Sequence, residues 1–217
     1  MKKREKLSLI FNILILLMEV IGATMPLEEG IERLEFYTVL SNYFTIIPCL
    51  LMVIFIIVKK SLSEIPYPVM IMKYMATVAL ALTFIVVLVV IIPSDYGFSG
   101  YLEGLLKFEF EGEFLYWHLL CPLLTVISFI FFEGDRRLNK KKTMYYPCLY
   151  TLVYAFVLVI LNITGKVAGP YPFLMVLVNP WYISLIWFVV IGLVNYFLAR
   201  EILLVNQIRA PRIKLKH

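Results

Sequence analysis

Charge, cysteine and histidine are all scarce in this chain. Of its 217 residues only 16% are charged and 62% are hydrophobic, whereas a soluble globular domain is about one-quarter charged. That shortage excludes an ordinary hydrated surface around a soluble core. It also leaves no length for a soluble domain beside the apolar runs, so a single integral membrane domain over 1–217 is expected. The three cysteines, Cys49, Cys121 and Cys148, lie in or beside apolar runs. They lack Cys-x-x-Cys or Cys/His ligand spacing, which argues against a disulfide framework or structural zinc. The only histidines are His118 and His217, too few for a histidine-rich metal cluster, and no metal or diffusible cofactor is expected. Gly/Ser-rich linkers and convincing internal repeats are absent as well.

What is present is a series of six windows of about 20 mostly apolar residues, the length that crosses a bilayer. They lie near 6–24, 36–58, 67–92, 114–132, 144–163 and 180–203. Lipid offers no partner for open backbone groups, so these windows are expected to be helices. The fold class is therefore all-α, a polytopic six-transmembrane-helix bundle.

Basic residues set its direction. Lys2, Lys3, Arg4 and Lys6 precede the first span, Lys59 and Lys60 follow the second, and Arg136, Arg137 and Lys140 to Lys142 separate the fourth from the fifth. Arg200, Arg209, Arg212, Lys214 and Lys216 come last. All fall on one side of a six-span chain, so both termini are expected to be cytoplasmic in a multi-pass protein of the cell membrane. The formal charge of +5 is then a topology signal and an attraction to anionic lipid head groups, not a nucleic-acid footprint. The tail from Glu201 is expected to lie along the inner surface. MKKREK before an apolar run also resembles a secretory signal peptide, although Glu19 interrupts the run and VIGATMP offers only a mediocre cleavage site. The segment 93–114, with Tyr101, Leu102, Leu105, Leu106 and Phe108, suits a short helix at the interface, and equally an ordinary amphipathic connector.

The second window carries an unexpected polar stripe. Thr38, Ser41, Asn42 and Thr45 are spaced i, i+3, i+4, i+7 and share one helical face, which calls for a partner. His118 sits in the fourth window, which enters from the same side. At 1.5 Å rise per residue, Thr38 and His118 both lie within roughly 3 to 6 Å of the outer edge. Each has a bland reading: a threonine that bonds back to its own helix, or an interfacial histidine that packs near Tyr116 and Trp117. Together they have the minimum equipment for nucleophilic acyl transfer, a hydroxyl and a base that removes and returns its proton. Both are near helix N-termini, whose free N–H groups can steady an oxyanion. Glu19 lies toward the outer end of the first span, where it can orient His118 or reach external water; Asn42 competes for the orienting role. Asn195 is deep enough to join helices instead. Pro122 removes the N–H that would bond the His118 carbonyl, and Pro48 does so for Phe44, which kinks helices and can widen a cavity.

At FYTVLSN, WHLLCP and GPYPFL the chain resembles the androgen-induced and androgen-dependent TFPI-regulating protein family and its bacterial six-helix relatives. The resemblance spans nearly the whole chain in topology. It implies an intramembrane threonine hydrolase acting on fatty acid esters of hydroxy fatty acids, with Thr38 as nucleophile and His118 as base. It also implies that Tyr171, Pro172, Phe173 and Leu174 border the entrance. The expected function is hydrolysis of a membrane-lipid or fatty-acyl ester in an outer-leaflet pocket, with Ser41, Asn42, Pro122 and Glu19 in support. The alternative is a non-enzymatic lipid or small-molecule binder, or a proton-coupled transporter using Glu19 and His118.

Overall fold

The computed structural model describes residues 1–25, 30–171 and 174–210. Pro172, Phe173 and the tail beyond Ala210 lie outside the described residues. Six helices are long and apolar enough to cross a membrane: α1 (Lys3–Thr24), α2 (Tyr37–Lys59), α3 (Tyr67–Tyr96), α5 (Gly112–Phe131), α6 (Tyr145–Ile163) and α7 (Trp181–Arg209). A shorter helix, α4 (Tyr101–Phe110), connects α3 to α5. Among the described residues there is no β-strand.

The third span is the central one. It buries 56% of its apolar window, against 22% for α6 and 17% for α7. The helices α1, α2, α3 and α5 pack around one another, while α6 and α7 close the other side of α3. One end of the bundle is marked by basic residues. There Arg4 donates from Nε to the Phe132 carbonyl and from Nη2 to the Gly134 carbonyl, both at 2.6 Å. Lys140 lies over Tyr67 and Arg209 over Phe131, each cation within 5 Å of the ring centre. The apolar core beside this end gathers Met52, Ile56, Tyr74, Phe129 and Leu138.

Prolines shape two spans as the missing N–H requires. Ahead of Pro93 the third span widens into a π-helical turn over Val87–Ile91, and ahead of Pro122 the fourth does so over Leu115–Leu120. Such turns absorb a lost i→i−4 bond without breaking the helix. The third span then ends at Gly97, whose φ of 64° is costly for any residue with a Cβ.

The last span departs from expectation. Glu201–Arg209 continues α7 and does not form a separate segment along the surface. The reason is specific packing: Asn206 Nδ2 donates to the Phe129 carbonyl at 2.8 Å and Gln207 Nε2 to the Asp135 carbonyl at 2.7 Å. The helix ends at Ala210, held extended by the proline that follows it.

Candidate functional site

The site is assembled at the opposite end of the bundle, around the first turn of α2. No side chain of α2 caps that turn, and four N–H groups there need partners. The loop after α6 supplies one. Asn162 holds both arms of that loop, donating to the Val167 and Ala168 carbonyls at 3.0 and 2.9 Å and accepting from the Val176 N–H at 3.0 Å. Tyr171 is thereby aimed at α2, and its hydroxyl accepts from the Tyr37 N–H at 3.1 Å. The Thr38 hydroxyl and N–H also contact this phenol. Burial raises the Tyr171 pKa above its ordinary value, so it stays a neutral hydroxyl. The N–H at the start of α2 that sequence reasoning offered to an oxyanion is therefore already engaged.

Thr38 and Tyr171 form part of the wall of a cleft between α3, α6 and α7 of about 860 Å³, counted to its open mouth. The rest of the wall is mostly apolar and aromatic, including Leu82, Val86, Leu174, Trp187 and Phe188. Gly192 of α7 also lines it, and a Cβ added there would meet nothing within 4 Å. A largely apolar cleft with a few polar groups on its wall suits an amphiphile. Elsewhere on the same wall Asn195 Nδ2 donates to Thr151 Oγ1 at 2.6 Å, joining α7 to α6.

His118 keeps different company. Only 6% exposed, its ring stacks on Phe114 at 5.1 Å and Phe108 at 6.4 Å. Nδ1 lies 3.0 Å from the Phe108 carbonyl. A carbonyl can only accept, so Nδ1 carries the proton in the neutral ring and Nε2 keeps its lone pair, the tautomer a general base requires. His118 is not among the residues lining the cleft of Thr38. Asn42 ties their helices together: its Nδ2 donates to the Thr38 carbonyl at 2.8 Å and to the Trp117 carbonyl, next to His118, at 3.4 Å. No contact joins the Thr38 and His118 side chains, whose partners are Tyr171 and Phe108.

The rest of the polar stripe divides. Thr45 bonds back to the Ser41 carbonyl at 2.8 Å and Ser41 to that of Thr38 at 3.0 Å, as hydroxyls in membrane helices often do. Ser41 also meets Thr83 of α3 at 3.3 Å. Glu19 is fully buried, and it is Cys121 and Lys73 that act on it, whereas His118 contacts Phe108 and Phe114. The orienting partner of the imidazole is thus the Phe108 carbonyl, which hydropathy could not reveal.

The helix α4, which brings Phe108 to His118, is pinned by Tyr101 Oη donating to the Leu88 carbonyl at 3.2 Å and by Tyr96 edge-on to Phe108 at 6.1 Å. Gly97 and Gly112, with φ of 64° and 53°, stand at its two flanks. On it Glu109 is 1% exposed, with no protein hydrogen-bond partner for either oxygen. Burial raises its pKa from 4.5 to about 7. The docked helix favours the protonated acid, so docking is strongest below the ordinary value, weakens as pH rises towards 7 and has lost this contribution above it. Amide exchange across 101–110 is expected to exceed its intrinsic acceleration between pH 5 and 8, and Glu109→Gln should remove that excess.

Among the described residues no group of three or more His, Cys, Asp or Glu is placed to hold a metal. Comparisons with protein-family models, curated proteins and solved structures find no match.

Proposed function

We propose that this protein is a membrane-embedded hydrolase of lipid esters, with both termini cytoplasmic and the Thr38 cleft opening in the outer leaflet. The observation that carries this reading is that Thr38 and Tyr171, which bond to each other, line a largely apolar cleft between α3, α6 and α7. An acyl chain would lie along α3 and α7, with its carbonyl at Thr38 beside Tyr171.

In the reaction Thr38 Oγ1 attacks the ester carbonyl carbon while its proton passes to Nε2 of His118. The tetrahedral intermediate expels the alcohol oxygen, which takes that proton back, leaving an acyl-threonine. Water then attacks the acyl-threonine by the same route, releasing the fatty acid and restoring Thr38. This requires Nε2 to reach Thr38 directly or through one water once substrate is bound; such contacts commonly tighten only in the occupied site. The Phe108 carbonyl supports the required tautomer throughout.

A second reading, a lipid binder without chemistry, is favoured by one observation: Thr38 already engages Tyr171 and His118 already engages Phe108. One experiment separates the two. Purified protein is given a fatty acid ester of a hydroxy fatty acid in detergent micelles, and released fatty acid is measured alongside retained ester. The hydrolase reading expects turnover that falls at least about a hundredfold in His118→Gln, the scale of a lost general base, with ester retention unchanged. Retention without any release by the unaltered protein would leave only the binder.

A further inference from the structure

The buried face of α1 is its polar face. The residues it turns inward are Glu5, Ser8, Asn12, Ile15, Glu19 and Gly22, a regular alternation of three and four residues in which only Ile15 is a large apolar side chain. Between Glu5 and Glu19 this stripe rises about 21 Å at 1.5 Å per residue, most of the roughly 30 Å of a hydrocarbon core. Facing it on α5 are Cys121, Thr125 and Ser128, all 0% exposed.

The groups along this axis are linked. Glu133 Oε1 accepts from Ser8 Oγ at 3.0 Å, from Ser128 Oγ at 2.7 Å and from Asn12 Nδ2. Lys73 Nζ, from α3, donates to Asn12 Oδ1 at 2.8 Å and to Cys49 Sγ at 3.0 Å. The same Nζ stands 4.0 Å from Glu133 Oε2. Beyond Cys49 come Cys121 and the Glu19 carboxyl against it. Further on, the Trp117 indole N–H abuts Gly22 and Asn42 crosses from α2.

Unpaired buried polar groups in lipid are costly, and along this axis they follow one another. Here Oγ1 of Thr125, Oδ1 of Asn42 and the Trp117 indole nitrogen have no protein hydrogen-bond partner, Glu133 Oε2 has only the Lys73 ammonium at 4.0 Å, and the Glu19 carboxyl meets only the weakly bonding Cys121 thiol. A buried intramembrane carboxyl that meets only a thiol, in series with a lysine–glutamate pair, suits a proton relay, one of the uses of ionisable groups inside a membrane. None of Lys73, Glu133 or Glu19 lines the Thr38 cleft, so the axis is separate from the ester site.

We propose that Glu133, Lys73 and Glu19 form a proton pathway through the α1–α2–α3–α5 bundle. Lys73 passes a proton towards Glu19, once Glu19 has released its own, by way of the Cys49 and Cys121 thiols. It is recharged from Glu133, which takes its proton from the basic end past Ser8 and Glu5. Glu19 releases towards Trp117 and Asn42. Each step moves one proton and makes or breaks no other bond.

The test uses the full chain in liposomes containing a pH-sensitive dye, with a potassium gradient and valinomycin setting an inside-negative potential. The unaltered protein is expected to acidify the lumen at least tenfold faster than protein-free liposomes. Glu19→Gln keeps the shape of the residue and an oxygen for the Cys121 thiol, so it should remain folded, and is expected to return the rate to the protein-free level. The paired change Lys73→Met with Glu133→Gln removes both charges together and is expected to do the same in protein that stays monodisperse. Acidification no faster than in protein-free liposomes, or an unchanged rate in Glu19→Gln, would overturn the pathway and leave the axis as helix-joining structure.

Discussion

Replacing Thr38 by alanine is expected to abolish covalent labelling by a long-chain fluorophosphonate and to lower ester turnover by at least about a thousandfold, as loss of a nucleophile does elsewhere. The expectation is sharp because Thr38 brings its hydroxyl to the cleft beside Tyr171. The neighbouring hydroxyl on α2, Ser41, already bonds to the Thr38 carbonyl and Thr83. The variant gives up one hydroxyl contact, a cost of about 1 kcal/mol, and Tyr171 still accepts from the Tyr37 N–H. Helical content and elution volume should therefore match the parent protein. Labelling that persists at the parent rate in folded Thr38→Ala would remove Thr38 from the chemistry.

Filling the cleft from α7 should be nearly as damaging to the ester and harmless to the fold. A Cβ at Gly192 meets nothing within 4 Å, so a phenylalanine there enters the space an acyl chain would use. A glycine inside a helix costs up to about 1 kcal/mol relative to other residues, so Gly192→Phe should hold or raise the melting temperature without lipid. Ester affinity is expected to fall at least tenfold, about 1.4 kcal/mol, and the thermal shift caused by added ester should vanish. A full shift in this variant would mean that the ester sits elsewhere.

How far the sequence carries the reader differs from element to element. The six spans were legible because lipid forces whole apolar windows into helices, and their limits fall within a few residues of the observed ones except in α7. Glu201–Arg209 escaped because charged residues lower its hydropathy, while what continues the helix is the packing of Asn206 and Gln207. That the polar stripe of α2 needs a partner was legible too: Asn42 reaches the Trp117 carbonyl of α5 and Ser41 reaches Thr83 of α3. Azimuth was not. Nothing in composition says that Thr38 turns to a phenol from the loop after α6, or that His118 turns to a carbonyl on α4. Pro122 announced a disturbed helix at His118, and the π-helical turn over Leu115–Leu120 is its form. Lys73 offered a signal that apolar windows average away, a single cation six residues inside the third span, whose partners are remote in sequence.

The inward polar face of α1 also bears on how the chain is made. A lone carboxyl or amide at the centre of a helix resists entry into lipid, an aspartate or lysine there by about 3 kcal/mol on insertion scales. Asn12 and Glu19 therefore make this first helix a reluctant one. The partner that bonds Ser8 and Asn12 is Glu133, more than 120 residues later. Until the ribosome has delivered that stretch, the leading helix has no complete set of neighbours. Its secure burial in the bilayer must then be a late event of synthesis, completed from the far half of the chain.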